Sequence, residues 1–233
     1  MGSHDGAAEA VRVRLLGGFS VSVGFRVVEA DGWRRRSAAS LVKVLALARG
    51  HWLRRDRILD LLWPELDERT AAGNLHRALH FARRAFEPDA SRSSARYLAL
   101  VDGMISLCPE EPLWVDAEEF EQAAARRVRD PAAYRAAIEL YAGELLPADS
   151  DEEWAHESRD ALREAHLALL VDLAALHEER GEPDPAVEAL GRVLAEAPTH
   201  EVAHRALMRL HAARGDRGQA LSQYRRLARA PTR

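Results

Sequence analysis

The sequence contains very little cysteine, very little lysine and no long hydrophobic stretch, and these scarcities exclude several kinds of protein. A single cysteine, Cys108, excludes an internal disulfide and fits a reducing environment such as the cytoplasm. No run approaches the roughly 18 apolar residues that a membrane helix needs, so no membrane partner is expected. Hydrophobic residues at 47% and charged residues at 30% are typical of a globular protein, and 233 residues allow one large domain or two ordinary ones.

Catalytic signatures are also scarce. The sequence has neither the GxxxxGK[ST] loop that cradles nucleotide phosphates nor the GxSxG elbow of serine hydrolases, and no cofactor is predicted. The sharpest enzymatic pattern is HEVAH, in which His200 and His204 would lie one helical turn apart beside a glutamate that could act as general base. Because a third ligand at the spacing of the extended motif is missing, we expect both histidines to be structural. A zinc hydrolase is kept as a minor alternative.

The net charge of −4 conceals an uneven distribution along the chain. Residues 1–108 carry a net charge of +5, residues 109–233 carry −9, and residues 33–96 alone carry +7. A basic half joined to an acidic half indicates that only the first half meets an anionic polymer. Lys43 is the only lysine among 33 basic residues, a bias that fits a GC-rich genome better than selection for phosphate contacts.

The segment from Asp67 to Phe86 combines helical periodicity with a face of one charge sign. Its apolar stripe is predicted to be buried and comprises Glu68, Ala71, Ala72, Leu75, Ala78, Leu79, Ala82 and Phe86. The opposite face carries hydrogen-bond donors and no carboxylate, and comprises Arg69, Thr70, Gly73, Arg77, His80, Phe81 and Arg84, with Asn74 and Arg83 on its flanks. Asp67 is predicted to cap this helix and Pro88 to stop it. Such a helix can lie in the major groove of DNA, although an ordinary solvated face explains the same pattern.

The surrounding sequence predicts a small sheet, two more helices and a hairpin. Three short strands are expected within residues 11–28, followed by a helix capped by Ser37 and closed by Gly50, and by a second helix over residues 56–63. Two strands around Asp102-Gly103 predict a hairpin, which we call the wing, because this dipeptide suits a type I′ turn. Together these elements indicate a winged helix-turn-helix domain preceded by an antiparallel sheet.

The second half of the sequence predicts helices throughout. Pro109–Pro112 is taken as the boundary, so the expected division is residues 1–10 as a tag remnant outside the fold, residues 11–109 as the winged helix and residues 110–233 as a helical domain. A 34-residue repeat is visible in this half, as in tetratricopeptide proteins, where stacked helix pairs bury faces that one pair cannot bury alone. It relates Leu173, Leu176, Gly181, Ala186 and Val193 to Leu207, Leu210, Gly215, Ala220 and Leu227. The predicted fold class is therefore mainly α with a small β component.

The chain also resembles a known family. The segments LLGGF, RDRILDLLWPE, NLHRALHFARRAF and YLALVDGMISL resemble the DNA-binding domain of the streptomycete antibiotic regulatory proteins. The segments VDAEEFEQA, YAGELLP and APTHEVAHRALMRLHAARGDRGQALSQYRRL resemble the bacterial transcriptional activation domain that follows it, and the two resemblances together cover residues 11–229. Since such chains usually continue past this last helix, the sequence is consistent with a piece of a larger regulator.

The resemblance implies a cytoplasmic, non-enzymatic transcriptional activator. Such proteins bind direct repeats in double-stranded promoter DNA as side-by-side protomers and recruit RNA polymerase, so self-association on DNA is expected. The alternative from a different class is a helical-repeat interaction or ligand-sensing module whose winged helix serves protein contacts. His76 stands where relatives tend to have arginine, which leaves the operator sequence open.

The candidate DNA-binding residues are assigned roles by their expected reach. Arg77 is the first choice for reading bases, with Thr70, Gly73 and Asn74 beside it. Arg69, on the same face, is a further DNA-binding candidate without an assigned role. Phosphate contacts are expected from other basic residues of the helix and from those near helix N-termini, namely His80, Arg83, Arg84, Arg34, Arg35, Arg36, Arg54 and Arg55. Arg92 and Arg96 border the wing, which in the resembled family approaches the minor groove.

Overall fold

The computed structural model describes residues 10–88, 96–126 and 128–229, apart from the side chains of residues 30 and 31. Residues 1–9, most of the expected tag remnant, lie outside the described residues. The fold is mainly helical, with small sheets in the N-terminal half and helices after them, which confirms the predicted class. No helix of the described part is both long and apolar enough to cross a membrane.

The first sheet has four strands in the order β3-β2-β1-β7. Its strands are β1 (Val11–Arg14), β2 (Ser20–Val23), β3 (Arg26–Val27) and β7 (Leu113–Val115). Along β1 the valines are buried and the arginines exposed, as the period of two requires. The predicted antiparallel meander is confirmed, but the prediction that only helices follow residue 109 is wrong. β7 runs parallel to β1, pairing Val11 with Leu113 and Val13 with Val115.

Three helices and a second sheet follow β3. The helices are α1 (Arg36–Leu47), α2 (Arg55–Leu62) and α3 (Glu68–Phe86), and the sheet has the order β4-β6-β5, with β4 (Trp52–Arg54), β5 (Leu98–Val101) and β6 (Met104–Leu107). Asp102 and Gly103 both have positive φ, 50° and 76°, which confirms the predicted hairpin turn. The predicted Ser37 cap is wrong, because the N-cap residue of α1 is Arg35, two residues earlier, and its side chain makes no cap hydrogen bond.

The core of this part forms where α1 packs against α3. Leu41 and Leu45 of α1 are fully buried, and Leu75 of α3 is 3% exposed. Phe86 at the end of α3 stacks on Tyr97, with ring centroids 5.5 Å apart, and meets Trp33 edge-on at 6.1 Å. These aromatic contacts fix the end of α3 against the strand that begins the hairpin.

The described contacts divide the chain into two compact units. The first comprises residues 1–119 and 142–160, and the second residues 120–141 and 161–233. The boundary expected between residues 109 and 110 differs from this division, because β7 pairs with β1 and residues 142–160 pack in the first unit. That residues 110–233 fold independently stays a prediction.

Residues 142–160 are held against the rest of the first unit by a backbone hydrogen bond and by a buried ion pair. The amide of Leu146 donates to the carbonyl of Leu15 at 2.9 Å. The Lys43 Nζ lies 2.6 Å from Asp149 Oδ2, and both side chains are buried, at 8% and 5% exposure. Lys43 also lies 4.7 Å from the centre of the Phe19 ring. The one lysine of the sequence is therefore a core residue of the winged helix and is withdrawn from solvent.

The second unit contains the helical repeat predicted from the sequence. Its helices are α5 (Pro131–Leu140), α7 (Pro183–Glu196), α8 (Glu201–Ala213) and α9 (Arg217–Arg229), with parts of α4 (Asp116–Ala125) and α6 (His156–Glu179). The repeat is visible at the turns, because Gly181 and Gly215 both have left-handed φ, 72° and 80°. Each turn is closed by an equivalent bond, from Glu182 N to His177 O and from Asp216 N to His211 O, both 2.9 Å.

The buried ion pair predicts a strong effect of removing one partner. Replacing Asp149 with alanine leaves the Lys43 ammonium buried without its counter-charge, which we expect to cost about 3–5 kcal/mol of unfolding free energy. Urea denaturation of the full chain measures this loss. Asp151→Ala, at an exposed position nearby in sequence, is the control and should change stability little. An unfolding midpoint for Asp149→Ala equal to that of the control would show that the pair does not hold residues 142–160 in place.

Candidate nucleic-acid interface

The helix α3 has the N-cap residue and most of the buried stripe that its sequence predicts. The Asp67 carboxylate accepts hydrogen bonds from the Thr70 hydroxyl at 2.6 Å and the Thr70 amide at 3.0 Å, and these bonds hold the pKa of Asp67 below its ordinary value. The buried residues are Ala71, Leu75, Ala78, Leu79, Ala82, Ala85 and Phe86. Glu68 was assigned to this stripe wrongly, since its side chain is 85% exposed.

The outward face of α3 presents a row of exposed donors. Arg69, Thr70, Gly73, Arg77, His80 and Arg84 are all exposed, and Asn74 is half-buried beside them. A Cβ added at Gly73 would meet nothing within 4 Å, so the helix backbone is open to a close approach there. Arg77 Nη2 donates to Asn74 Oδ1 at 2.5 Å. The two side chains proposed to read bases are thus already linked and point to the same side.

Besides Arg77, four of the predicted DNA-binding arginines make hydrogen bonds or ion pairs within the protein. Arg36 lies 3.0 Å from Glu152, and Arg55 lies 3.4 Å from Asp56. Arg83 Nε donates to the Leu98 carbonyl at 2.9 Å, and burial lowers the pKa of Arg83. Arg96 Nε donates to Glu111 at 2.6 Å, which raises the pKa of Arg96. These contacts occupy part of the hydrogen-bonding capacity of each guanidinium and orient it.

The remaining basic candidates lie at helix N-termini, as expected. Arg34 precedes α1, Arg35 is its N-cap residue, and Arg54 is the N-cap residue of α2. The Arg35 guanidinium lies 5.2 Å from the centre of the Phe81 ring, on the outward side of α3. The N-terminus of α1 and the outward face of α3 therefore meet at this pair.

The wing differs from a strongly basic hairpin. Its turn is Asp102-Gly103, and Leu100 and Val101 are 45% and 62% exposed. Arg92 lies outside the described residues, so its predicted place at the base of the wing is not described. The Asp102 carboxylate at the turn opposes entry into the minor groove, whose potential is negative.

Two residues at this face were not among the predicted site residues, namely His76 on α3 and Arg26 at its C-terminus. His76 is exposed on the helix between Leu75 and Arg77, where its position in the helical period already placed it near the outward face. Arg26 donates to the carbonyls of Ala85, at 3.3 Å, and Phe86, so it caps the C-terminus of α3. Nothing in the local sequence reveals this contact, because Arg26 precedes Phe86 by 60 residues.

The HEVAH histidines have structural contacts. His200 precedes α8, and its Nδ1 accepts from the amide of Ala203 at 3.2 Å, which makes it the N-cap residue. His204 is 2% exposed, with Nδ1 3.0 Å from the Gln223 side chain and Nε2 2.9 Å from the Pro198 carbonyl. Both ring nitrogens of His204 are thus engaged inside the helical unit. Within the described ranges no three His, Cys, Asp or Glu side chains are grouped so that they could hold a metal ion.

The Cys108 thiol follows β6 and is also buried. Its side chain is 7% exposed, and burial, assisted by the charge of Glu111, raises the pKa of Cys108 to about 12. At neutral pH this thiol stays protonated and is a poor nucleophile. Cys108 is therefore a packing residue.

Comparisons with known proteins identify a family and a solved structure of similar fold. Residues 115–231 match the family model of the bacterial transcriptional activator domain. A solved structure of Mycobacterium tuberculosis EmbR in complex with a low-affinity phosphopeptide is similar, with 18% sequence identity and a TM-score of 0.74. The match covers 94% of this chain and 59% of that chain, so this chain spans less than two thirds of it and the likeness concerns the fold. A search of curated protein sequences gave no match.

The contacts of His204 predict that it stabilises the helical unit without a metal. His204→Ala leaves the buried Gln223 side chain and Pro198 carbonyl unpaired, which should cost about 1–3 kcal/mol of unfolding free energy. His200→Ala, which removes only an N-cap, is the milder companion variant. Unfolding midpoints with and without EDTA, together with zinc analysis of protein purified without a histidine tag, test this. Stoichiometric zinc that is lost in either variant would overturn the structural role.

Proposed function

This chain belongs to the family of the bacterial transcriptional activator domain, and we propose that it is a sequence-specific regulator that binds promoter DNA through α3. Family membership makes it a transcriptional regulator; the DNA-binding surface is inferred from the first unit. The observation that carries the proposal is the outward face of α3. From Arg69 to Arg84 it presents exposed donors and no carboxylate, while its opposite face is fixed in the core.

Arg77 and Asn74 are proposed to read bases. Arginine pairs in a bidentate manner with guanine and asparagine with adenine, and both contacts need side chains held in a defined orientation. The 2.5 Å bond from Arg77 to Asn74 supplies such an orientation before DNA binds. The open backbone at Gly73 lets this part of the helix approach the base edges closely.

The other basic residues are proposed to bind phosphates. Arg69, His80 and Arg84 are exposed on α3, and the N-cap position of Arg54 places it where backbone N–H groups can share a phosphate. The arginines that contact acidic groups or carbonyls, Arg36, Arg55, Arg83 and Arg96, have a guanidinium already positioned by the protein. Each of these guanidiniums can bind a DNA phosphate either with its remaining N–H donors or by giving up its present partner in the protein.

The second unit is proposed to make the protein contacts. Stacked helix pairs build extended binding surfaces. The acidic charge of residues 109–233 does not mark this unit, because it lies in residues 109–119 and 142–160 of the first unit. We assign to the second unit RNA polymerase recruitment and self-association of protomers on direct repeats, in the cytoplasm. Residues 110–233 are further proposed to fold as an independent domain.

A second candidate function is an interaction module whose winged helix contacts protein. The exposed Leu221 and Tyr224 of α9 and the apolar wing tip favour it, because exposed apolar side chains commonly mark contact surfaces. Failure of the purified protein to retard any promoter fragment at low salt would favour this alternative over DNA binding.

Base reading and phosphate contact should separate in α3 variants. Arg77→Ala should remove about 1–3 kcal/mol of preference for one operator base and lower specific binding more than non-specific binding. Arg84→Ala should weaken both together and lower the slope of log affinity against log salt by about one unit. Affinities for an operator and for scrambled DNA at several salt concentrations measure both effects.

Two controls make these outcomes interpretable. Arg225→Ala removes one exposed charge from the second unit and should leave the ratio of specific to scrambled affinity unchanged. Leu79→Ala should destabilise the first unit by about 2–5 kcal/mol, which marks the result expected from lost packing. If Arg77→Ala leaves the specific-to-scrambled ratio at the wild-type value, α3 does not read the operator.

A further inference from the structure

An arginine-lined groove lies at the C-terminal end of α3, between that helix and β3. It has a volume of about 340 Å³, and its charged lining consists of Arg26, Arg34, Arg84 and Glu29. Val27, Ala85 and Pro88 supply apolar wall. The volume is at the lower end of the range for small-molecule pockets, roughly 300–1,000 Å³, and exceeds what one phosphate group needs.

Arg26 compensates the negative charge of the α3 C-terminus, which would otherwise repel an anion from the groove. The C-terminus of a helix carries partial negative charge on its last carbonyls, which repels anions. Here the Arg26 guanidinium donates to the carbonyls of Ala85 and Phe86 and compensates that charge. Among the side chains that the structure describes, the groove therefore keeps the positive charge of two further arginines, opposed by the carboxylate of Glu29.

Arg34 and Arg84 are the two guanidiniums that remain for a ligand. Among the described residues, neither has a hydrogen-bond or ion-pair partner. Arg34 has a φ of 47°, which is uncommon for a residue with a side chain. The Arg35 amide donates to the Trp33 carbonyl, so the backbone forms a tight turn with Arg34 at its centre. Since Trp33 is 7% exposed and packs on Phe86, this tight turn is anchored in the core. The backbone thus holds Arg34 at the groove despite the strained conformation.

We propose that this groove binds a phosphate group through Arg34 and Arg84. Two unpaired guanidiniums repel each other, and an anion with several oxygens that bridges them removes the repulsion while making bidentate hydrogen bonds. The phosphate can belong to the DNA backbone or to a small phosphate ester. The first source rests on the proposed DNA binding, whereas the second is independent of it.

The first arm of the test uses pyrophosphate and the full chain without DNA. At constant ionic strength, pyrophosphate should raise the unfolding temperature in a saturable manner, because it binds the folded state. Arg34→Gln and Arg84→Gln should each weaken its affinity roughly tenfold or more, the loss expected for a charge-assisted contact. Arg225→Gln, with the same change of charge outside the groove, should match the wild type. Equal weakening by Arg225→Gln would mean a general charge effect and would overturn the site.

The second arm measures the salt dependence of DNA affinity for the same variants. If the double variant Arg34→Gln/Arg84→Gln lowers the slope of log affinity against log salt by about two units, the groove takes backbone phosphates. A loss confined to pyrophosphate binding assigns the groove to a free phosphate ester, and a loss confined to the slope assigns it to DNA alone. If neither quantity changes, the proposal is wrong. Absence of any DNA binding by the wild type would contradict the proposed function. The pyrophosphate measurement would still show whether the groove binds a phosphate group.

Discussion

The packing of α3 against α1 is the constraint on which the surface of the first unit depends. A 19-residue helix with seven buried residues has one orientation that satisfies its apolar stripe, and this orientation turns every exposed basic side chain of α3 outward. Both ends are fixed independently, by the Asp67 cap at the N-terminus and by Arg26 on the last carbonyls. A base-reading helix needs such rigidity, because a hydrogen bond to a base edge tolerates little angular error.

Charge serves two different purposes in this unit. In the interior, the Lys43–Asp149 ion pair joins residues that are 106 positions apart in the sequence. Because both side chains are buried, the desolvation cost of each charge is offset only while its partner is present. At the surface, arginines of the same sign are placed around α3 and the start of α1, and several are steadied by one internal contact each. The two arrangements are compatible because the interior pair is neutral as a whole and adds no net charge to the surface around α3.

Much of the fold and of α3 could be predicted from local patterns, and the remainder depends on long-range contacts. The cap, stripe and stop of α3, the hairpin turn and the 34-residue repeat each have a period or a turn residue that is visible in the sequence. β4 and β7 have three residues each, too few to show alternation, and β7 finds its partner some hundred positions earlier. The Arg26 cap and the contacts of His204 were likewise invisible, since a sequence motif does not show which atoms a folded chain brings to a side chain.

The outward face of α3 is proposed to read a DNA sequence. The decisive experiment is selection of fragments from a random DNA pool by the purified wild-type chain and by Arg77→Ala, followed by sequencing. We expect the wild type to enrich one motif in direct repeat and the variant to lose preference at a defined base within it. Enrichment of no motif by the wild type, or of an identical motif by both proteins, would show that Arg77 and its face do not read the sequence.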